Sequence, residues 1–218
     1  MKKLEKLFVK FLFVFLKPFI LLMYPHKIVW VDKKQTKEVM KKASVFYSNH
    51  TSYHDGFLIS EVFSPYKPYM FVGKDWYEKK NLNIFFRNLR YIPIDRQQMD
   101  TSWLVRGKEI LNNGESIYFF PEGHTSKDGN MREFQPGFLM LSKQLDAPLI
   151  PICIDRKIRA FHWFRIIIGT PQYLDFSEPG RPSVVLKSKS AECRKTLLKL
   201  KKEYGNPKYF VTDVNEID

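Results

Sequence analysis

At 218 residues the chain is long enough to bury a core of its own and falls within the range of one catalytic domain plus appendages. Its 36 Lys and Arg outnumber 23 Asp and Glu, a net charge of +13 with His neutral, which favours nucleic acid, anionic lipid headgroups or phosphorylated substrates as partners. The 19 Phe beside that charge, with no zinc-finger spacing, set nucleic acid aside in favour of a lipid interface, and Cys153 and Cys193 alone make neither a disulfide framework nor a zinc site.

Residues Leu7 to Tyr24 read LFVKFLFVFLKPFILLMY, an apolar run interrupted by Lys10, Lys17 and Pro18. A continuous span needs about 20 mostly apolar residues, so a monotopic anchor or a re-entrant helical hairpin broken at Pro18 is favoured over a full crossing. Met1-Lys2-Lys3 would hold that end on the cytoplasmic side, and no small-residue cleavage site follows to mark a signal peptide. Tyr24-Pro25-His26-Lys27 reads as a junction, which divides the chain into an anchoring segment, 1–25, and a catalytic domain, 26–218.

Beyond the junction short apolar runs alternate with helical patterns. Ala43 to Ser48, Tyr69 to Val72, Tyr91 to Ile94, Ser116 to Phe120, Leu149 to Ile154 and Phe164 to Ile168 are predicted strands. Between them, a helix capped by Asp100 runs to about Asn112 with Gly114 after its end, a second spans Pro136 to Leu145, and a basic helix runs from Ala191 to Tyr204. The rhythm predicts an α/β fold, a mixed central sheet flanked by helices, carrying the N-terminal membrane-associated helix or hairpin.

The sharpest local feature is Asn49-His50-Thr51-Ser52-Tyr53-His54-Asp55, directly after an apolar strand, where α/β proteins place their sites. On one continuous helix His50 and Asp55 would point about 140° apart, so they meet only if His50 lies in the loop and Asp55 in the first helical turn, with Thr51 or Ser52 capping it. A carboxylate against one imidazole nitrogen fixes the tautomer and leaves the other nitrogen to take a proton from a hydroxyl. A rival reading pairs His50 with His54, four apart, as zinc ligands completed by Glu122 or His124, the pattern of a metal-dependent hydrolase. Two further pieces follow strands. Tyr91-Ile92-Pro93-Ile94-Asp95-Arg96 ends in an arginine suited to a phosphate, and Phe120-Pro121-Glu122-Gly123-His124-Thr125-Ser126 forms a shaped turn whose backbone N–H groups are candidates to face an oxyanion.

Taken in order, NHTSYHD, YIPIDR, FPEGHTS and LIPICI resemble the four blocks of the glycerolipid acyltransferase family, over roughly residues 25 to 170. The resemblance implies transfer of a fatty acyl group from acyl-CoA or acyl carrier protein, as co-substrate, to a lysophospholipid hydroxyl, with 1-acylglycerol-3-phosphate giving phosphatidic acid in phospholipid biosynthesis. It implies no metal and no bound cofactor, and with Met1-Lys2-Lys3 on the cytoplasmic side the expected place of work is the cytoplasmic face of the cell membrane. By the same resemblance His50 is the general base and Asp55 its partner. Lys74 and Arg96 serve the acceptor phosphate, Glu122, Gly123 and Ser126 shape the acceptor site, and Pro151 borders the donor site. One departure stands out. The family usually reads EGTRS in the third block, whereas this chain has Glu122-Gly123-His124-Thr125-Ser126 without the arginine, which leaves Arg90, Lys127 or Arg132 to compensate and admits another lysolipid as acceptor.

Overall fold

The computed structural model describes residues 2–63, 65–66, 68–80, 83–95, 101–126 and 128–209. In chain order these form α1 (Lys2–Met23), β1 (His26–Trp30), α2 (Lys33–Val39), β2 (Val45–Ser48), α3 (Asp55–Val62), β3 (Tyr69–Gly73), α4 (Lys74–Tyr77), α5 (Asn83–Asn88), β4 (Tyr91–Ile94), α6 (Ser102–Asn112) and β5 (Ile117–Phe119). A 3-10 turn at Pro136–Phe138 then leads into α7 (Leu139–Leu145), followed by β6 (Leu149–Ile154), β7 (Phe164–Ile168) and α8 (Pro182–Tyr204).

The seven strands make one sheet in the order β1-β7-β6-β2-β5-β3-β4. Pairing is parallel throughout except between β6 and β7, so the predicted mixed sheet is observed. Because helices cover both faces, the central strands are apolar on both: VFYS of β2 and LIPICI of β6 are buried along their whole lengths. Alternation along each strand then sorts the core. Val45, Tyr47, Leu149 and Cys153 point to α6, α7 and α8, where they meet Ile110, Leu141 and Leu197. Phe46, Ile150, Ile152 and Ile154 point to the other side, against Leu58 and Ile59 of α3 and, at its margin, Ile20 of α1.

Several boundaries move. The basic terminal helix begins nine residues earlier than predicted, at Pro182, which sits at the first helical position where a missing N–H costs nothing. α6 starts after Thr101, and the expected cap Asp100 lies outside the described residues. Two elements are new. His26 to Trp30, which starts within Tyr24–Lys27, is an edge strand paired with β7 from His26↔Phe164 to Trp30↔Ile168, and KKQTKEV forms a helix because the Asp32 carboxylate caps Gln35 N–H at 2.9 Å.

α1 runs unbroken through Pro18, so the hairpin alternative is not what forms. At 100° per residue, Leu4, Leu7, Phe8, Phe11, Val14, Phe15, Phe19 and Leu22 fall on one face within an arc of about 140°, and all are exposed. Val9 and Ile20 lie opposite, Val9 fully buried, and Lys17 reaches Glu61 of α3 at 3.0 Å. The helix is therefore fastened to the domain by one side and presents an apolar stripe on the other. Among the described residues no helix is long and apolar enough to cross a membrane.

Candidate active site

The chain leaves β2 towards β3 over one face of the sheet, through α3, and leaves β5 back towards β6 over the other, through α7. Neighbouring strands whose connections depart in opposite directions open a crevice at their C-terminal ends. The loops that carry His50 and Glu122 lie at that crevice, one after each strand.

The His50 loop is set from below by Asn49, whose side-chain amide donates to Ile154 O at 2.9 Å and accepts from Ile154 N–H at 2.8 Å, clamping the loop to the end of β6. Asp55 opens α3 with a wholly buried side chain. Its Oδ2 accepts from Thr51 N–H at 2.6 Å and Ser52 N–H at 2.9 Å and lies 2.9 Å from His50 Nδ1, while its Oδ1 accepts from Thr51 Oγ1 at 3.1 Å. The predicted caps are thus inverted: neither Thr51 nor Ser52 caps α3 by its side chain, and Asp55 instead collects their backbone N–H groups. With an acceptor-only carboxylate opposite, Nδ1 carries the proton and Nε2 is the nitrogen left for a substrate. Phe120 stacks on the His50 ring at 4.2 Å between centroids and fixes its plane.

Glu122 closes the arrangement from the β5 side. It is 5% exposed, and its two oxygens accept from His50 N–H at 2.6 Å and Arg132 N–H at 3.0 Å. Burial pushes its carboxyl up to about 7, against the lowering effect of those two hydrogen bonds. Gly123 has φ +73°, a left-handed conformation that explains a glycine after the glutamate. Its N–H donates to Phe120 O at 3.1 Å, and Ser126 N–H donates to His50 O at 2.8 Å, so the two loops are stitched backbone to backbone.

A cavity of about 1150 Å³ opens over these groups. Its polar lining includes His50, Lys74, Asp75, Glu78, Asp95, Glu122, Gly123, His124 and Arg132, and its apolar walls are built from Phe57, Met70, Phe71, Phe86, Tyr91, Ile94 and Phe119. Of the residues singled out in sequence, Lys74 stands at the first position of α4 with Nζ 3.4 Å from Asp95 Oδ2, beside a second hollow of about 480 Å³ that it shares with Arg87 and Asp95. Ser126 and Pro151 do not line the cavity. Ser126 turns its hydroxyl to Asp128 at 3.0 Å, and Pro151 faces α8, against Gly169 and near Leu200. Arg96 and Lys127 lie outside the described residues. Arg90 stands before β4, at the N-terminal ends of the strands and away from the crevice, where it pairs with Glu115 at 2.6 Å and covers the Tyr69 ring, so it does not replace the missing arginine. Arg132 does reach the cavity. Its N–H is held by Glu122, while its carbonyl accepts from Arg194 Nε at 3.1 Å, which pins the residue from both sides.

The zinc reading loses its geometry. His50 turns to Asp55, His54 Nδ1 lies 3.0 Å from Ser52 Oγ, and the His54 ring rests against Tyr24 of the α1 end. Among the described residues no three His, Cys, Asp or Glu side chains converge as metal ligands would.

A protein-family model described as Acyltransferase matches residues 31–155. Three curated relatives are each called 1-acyl-sn-glycerol-3-phosphate acyltransferase. A chloroplastic one from Arabidopsis thaliana is 25% identical over 60% of this chain and 37% of its own length. One from Limnanthes douglasii is 28% identical over 58% of this chain and 47% of its own length. One from Bacillus subtilis is 23% identical over 58% of this chain and 65% of its own length. The chain thus spans well under half to about two thirds of the curated relatives it matches. Among solved structures, the 1-acyl-sn-glycerophosphate acyltransferase PlsC from Thermotoga maritima superposes with a TM-score of 0.57 at 19% identity, over 91% of this chain and 79% of that one, which establishes the fold.

Proposed function

The chain belongs to the acyltransferase family, and we propose that it moves a fatty acyl group from a thioester of coenzyme A or acyl carrier protein to the free hydroxyl of 1-acylglycerol-3-phosphate, forming phosphatidic acid. The observation that carries this reading is the His50 ring, held by Asp55 at 2.9 Å and facing a cavity that has Lys74 and Arg132 in its polar lining and aromatic side chains along its walls. A phosphate headgroup fits Lys74 and Arg132, and a fatty chain fits Phe57, Phe71 and Phe86.

In the reaction His50 Nε2 takes the proton of the acceptor hydroxyl as its oxygen attacks the thioester carbonyl carbon. Asp55 holds the ring and balances the imidazolium that forms. The carbonyl oxygen becomes an oxyanion. The Gly123 and Ser126 N–H groups are already engaged, so the donors offered by that turn are the backbone N–H groups of His124 and Thr125. Collapse re-forms the carbonyl, breaks the carbon–sulfur bond and returns the proton from His50 to the departing thiolate. The ester is formed in one displacement, without an acyl-enzyme.

The exposed stripe of α1 supports work at a bilayer surface, with residues 1–25 as a monotopic anchor and 26–218 as the catalytic domain, and Lys2 and Lys3 favour the cytoplasmic face. The direct test is a panel of lysolipids in detergent with both donor types, read by lipid mass spectrometry. The expected outcome is phosphatidic acid from 1-acylglycerol-3-phosphate, reduced on the order of a thousandfold in folded His50→Ala. Full activity in His50→Ala, or transfer only to another lysolipid, would overturn the mechanism or the acceptor respectively.

A further inference from the structure

The loop between β6 and β7 has a buried base and an exposed tip. At the base, Asp155 is buried and accepts from Arg165 N–H at 2.8 Å and Asn206 N–H at 3.1 Å, and Ile158 is 2% exposed with its N–H 3.4 Å from Thr51 Oγ1 of the His50 loop. At the tip, Phe161 is 72% and Trp163 65% exposed. Phe161 also has φ +60°, a left-handed conformation that a bulky side chain avoids. Its N–H donates to Met23 O at 2.6 Å, and His162 N–H to Arg159 O at 3.3 Å, so the tip is tied to the last residue of α1. A large aromatic held in a strained conformation and aimed at solvent asks for an occupant.

The surroundings identify it. From Arg156 to Arg165 the sequence RKIRAFHWFR has four basic residues and no acidic one. The tip is continuous, through Met23, with the exposed stripe of α1 that ends in Leu22. Aromatic side chains interleaved with Lys and Arg beside an apolar helix match the layering of a bilayer interface, with rings at headgroup level and cations among lipid phosphates. We propose that the tip Arg159–Trp163 is a second membrane contact. Phe161 and Trp163 enter the interface of an anionic bilayer and Lys157 and Arg159 meet its phosphates, so that α1 and the tip together fix the tilt of the domain. The cavity mouth then faces the lipid from which a substrate must come, because Tyr24, at the α1 end, touches His54 of the loop that carries His50. This rests on the reading of α1 as a membrane anchor.

The test uses the full chain with phosphatidylcholine vesicles, with and without phosphatidylglycerol, and with brominated phosphatidylcholine as a quencher of tryptophan fluorescence. The wild-type protein should be quenched, and Trp163→Phe should lose most of that quenching while still sedimenting with vesicles. Phe161→Gly combined with Trp163→Ala should lower vesicle partitioning roughly tenfold. Glycine accepts the left-handed backbone, so melting and transfer to detergent-dispersed acceptor should not change. Quenching unchanged in Trp163→Phe, or partitioning unchanged in the double variant, would refute the tip contact alone. Absence of vesicle binding by the wild type would refute the anchor as well, and self-association abolished by Phe161→Gly would assign the tip to a second copy instead.

Discussion

On one side of the cavity Asp55 is wholly buried and accepts four hydrogen bonds; on the other, Lys74 is half exposed and meets Asp95 at 3.4 Å, too long for a strong pair. The first region is over-determined. Asn49, Thr51, Ser52, Phe120, Glu122 and Ser126 all act on the position of one imidazole. The second is a wet rim on which Lys74 and Arg132 stand among the carboxylates Asp75, Glu78 and Asp95. The difference teaches where each part of the function resides: chemistry needs an imidazole placed to a fraction of an ångström, whereas recognition of a phosphate tolerates several arrangements of positive charge.

The largest effect should come from breaking the buried side. Asp55→Asn replaces a charged acceptor by a neutral amide, whose oxygen keeps the Thr51 and Ser52 N–H groups only if its NH2 turns to Thr51 Oγ1 and that hydroxyl becomes the acceptor. The proton on His50 Nδ1 also loses its charged acceptor. Turnover is expected to fall on the order of a thousandfold, with stability lowered by about 2 kcal/mol. Steady-state kinetics and a denaturant titration check the two parts, and a variant with wild-type turnover would show that the pair only holds the fold.

Glu122 sharpens the comparison through pH. Its folded carboxyl is raised to about 7 by burial, whereas in the unfolded chain it returns to the ordinary carboxylate range. Between those values the native state holds a proton that the unfolded state has released, so stability falls as pH rises across that window, by at most about 3 kcal/mol. Below the window both states are protonated and above it both are ionised, and the contribution is flat. Glu122→Gln removes the slope. Urea midpoints measured from pH 4 to pH 8 are the check, and an identical slope in the variant would move the titration to another group.

How much of this was legible before the structure follows the same division. Strands β2, β6 and β7 were readable because burial on both faces forces uninterrupted apolar runs, and the His50–Asp55 pair was readable from the resemblance of NHTSYHD to the family's first block, helix geometry saying only what a meeting would require. β1 was not, since HKIVW is half exposed at an edge and owes its conformation to pairing with β7, far away in sequence. α2 lacks an apolar stripe and rests on Asp32 and on Thr36 bonding to Gly169 O at 3.2 Å. The hold of Glu122 on Arg132 joins residues ten apart across a loop with no periodicity, so no local pattern announces it. Asn49 left a faint signal, an amide directly after a buried strand, but its partner Ile154 is set by sheet order alone.

On the rim the effects should be smaller and of another kind. Lys74→Ala and Arg132→Ala are each expected to raise KM for 1-acylglycerol-3-phosphate roughly tenfold with kcat within about twofold, because an exposed charged contact to a ground-state phosphate is lost while His50 stays placed. The difference between that acceptor and an uncharged monoacylglycerol should narrow in both variants. If kcat falls with KM unchanged, the cation acts in the transition state and the division between the two regions fails.

The smallest effect belongs to Pro151, whose block suggested a place beside the donor. Its ring faces α8, and the strand explains why a proline is tolerated in the middle of a sheet. Leu149 bridges Gln172 and Ile152 pairs with Ile168, so three steps on β6 oppose four on the returning chain, a bulge at which one ladder N–H has no partner to meet. Gly169 completes the fit: a Cβ there would stand 2.8 Å from Pro151 Cγ and 2.9 Å from Leu200 Cδ1. Pro151→Ala should therefore leave donor KM within about twofold and change stability by less than about 1 kcal/mol, whereas Gly169→Ala should cost about 1–3 kcal/mol through overpacking. Combining them should recover part of that loss, since one of the two close contacts disappears, although Leu200 still crowds the site. A donor KM raised tenfold in Pro151→Ala, with no coupling to Gly169→Ala, would return this residue to the binding side of the comparison.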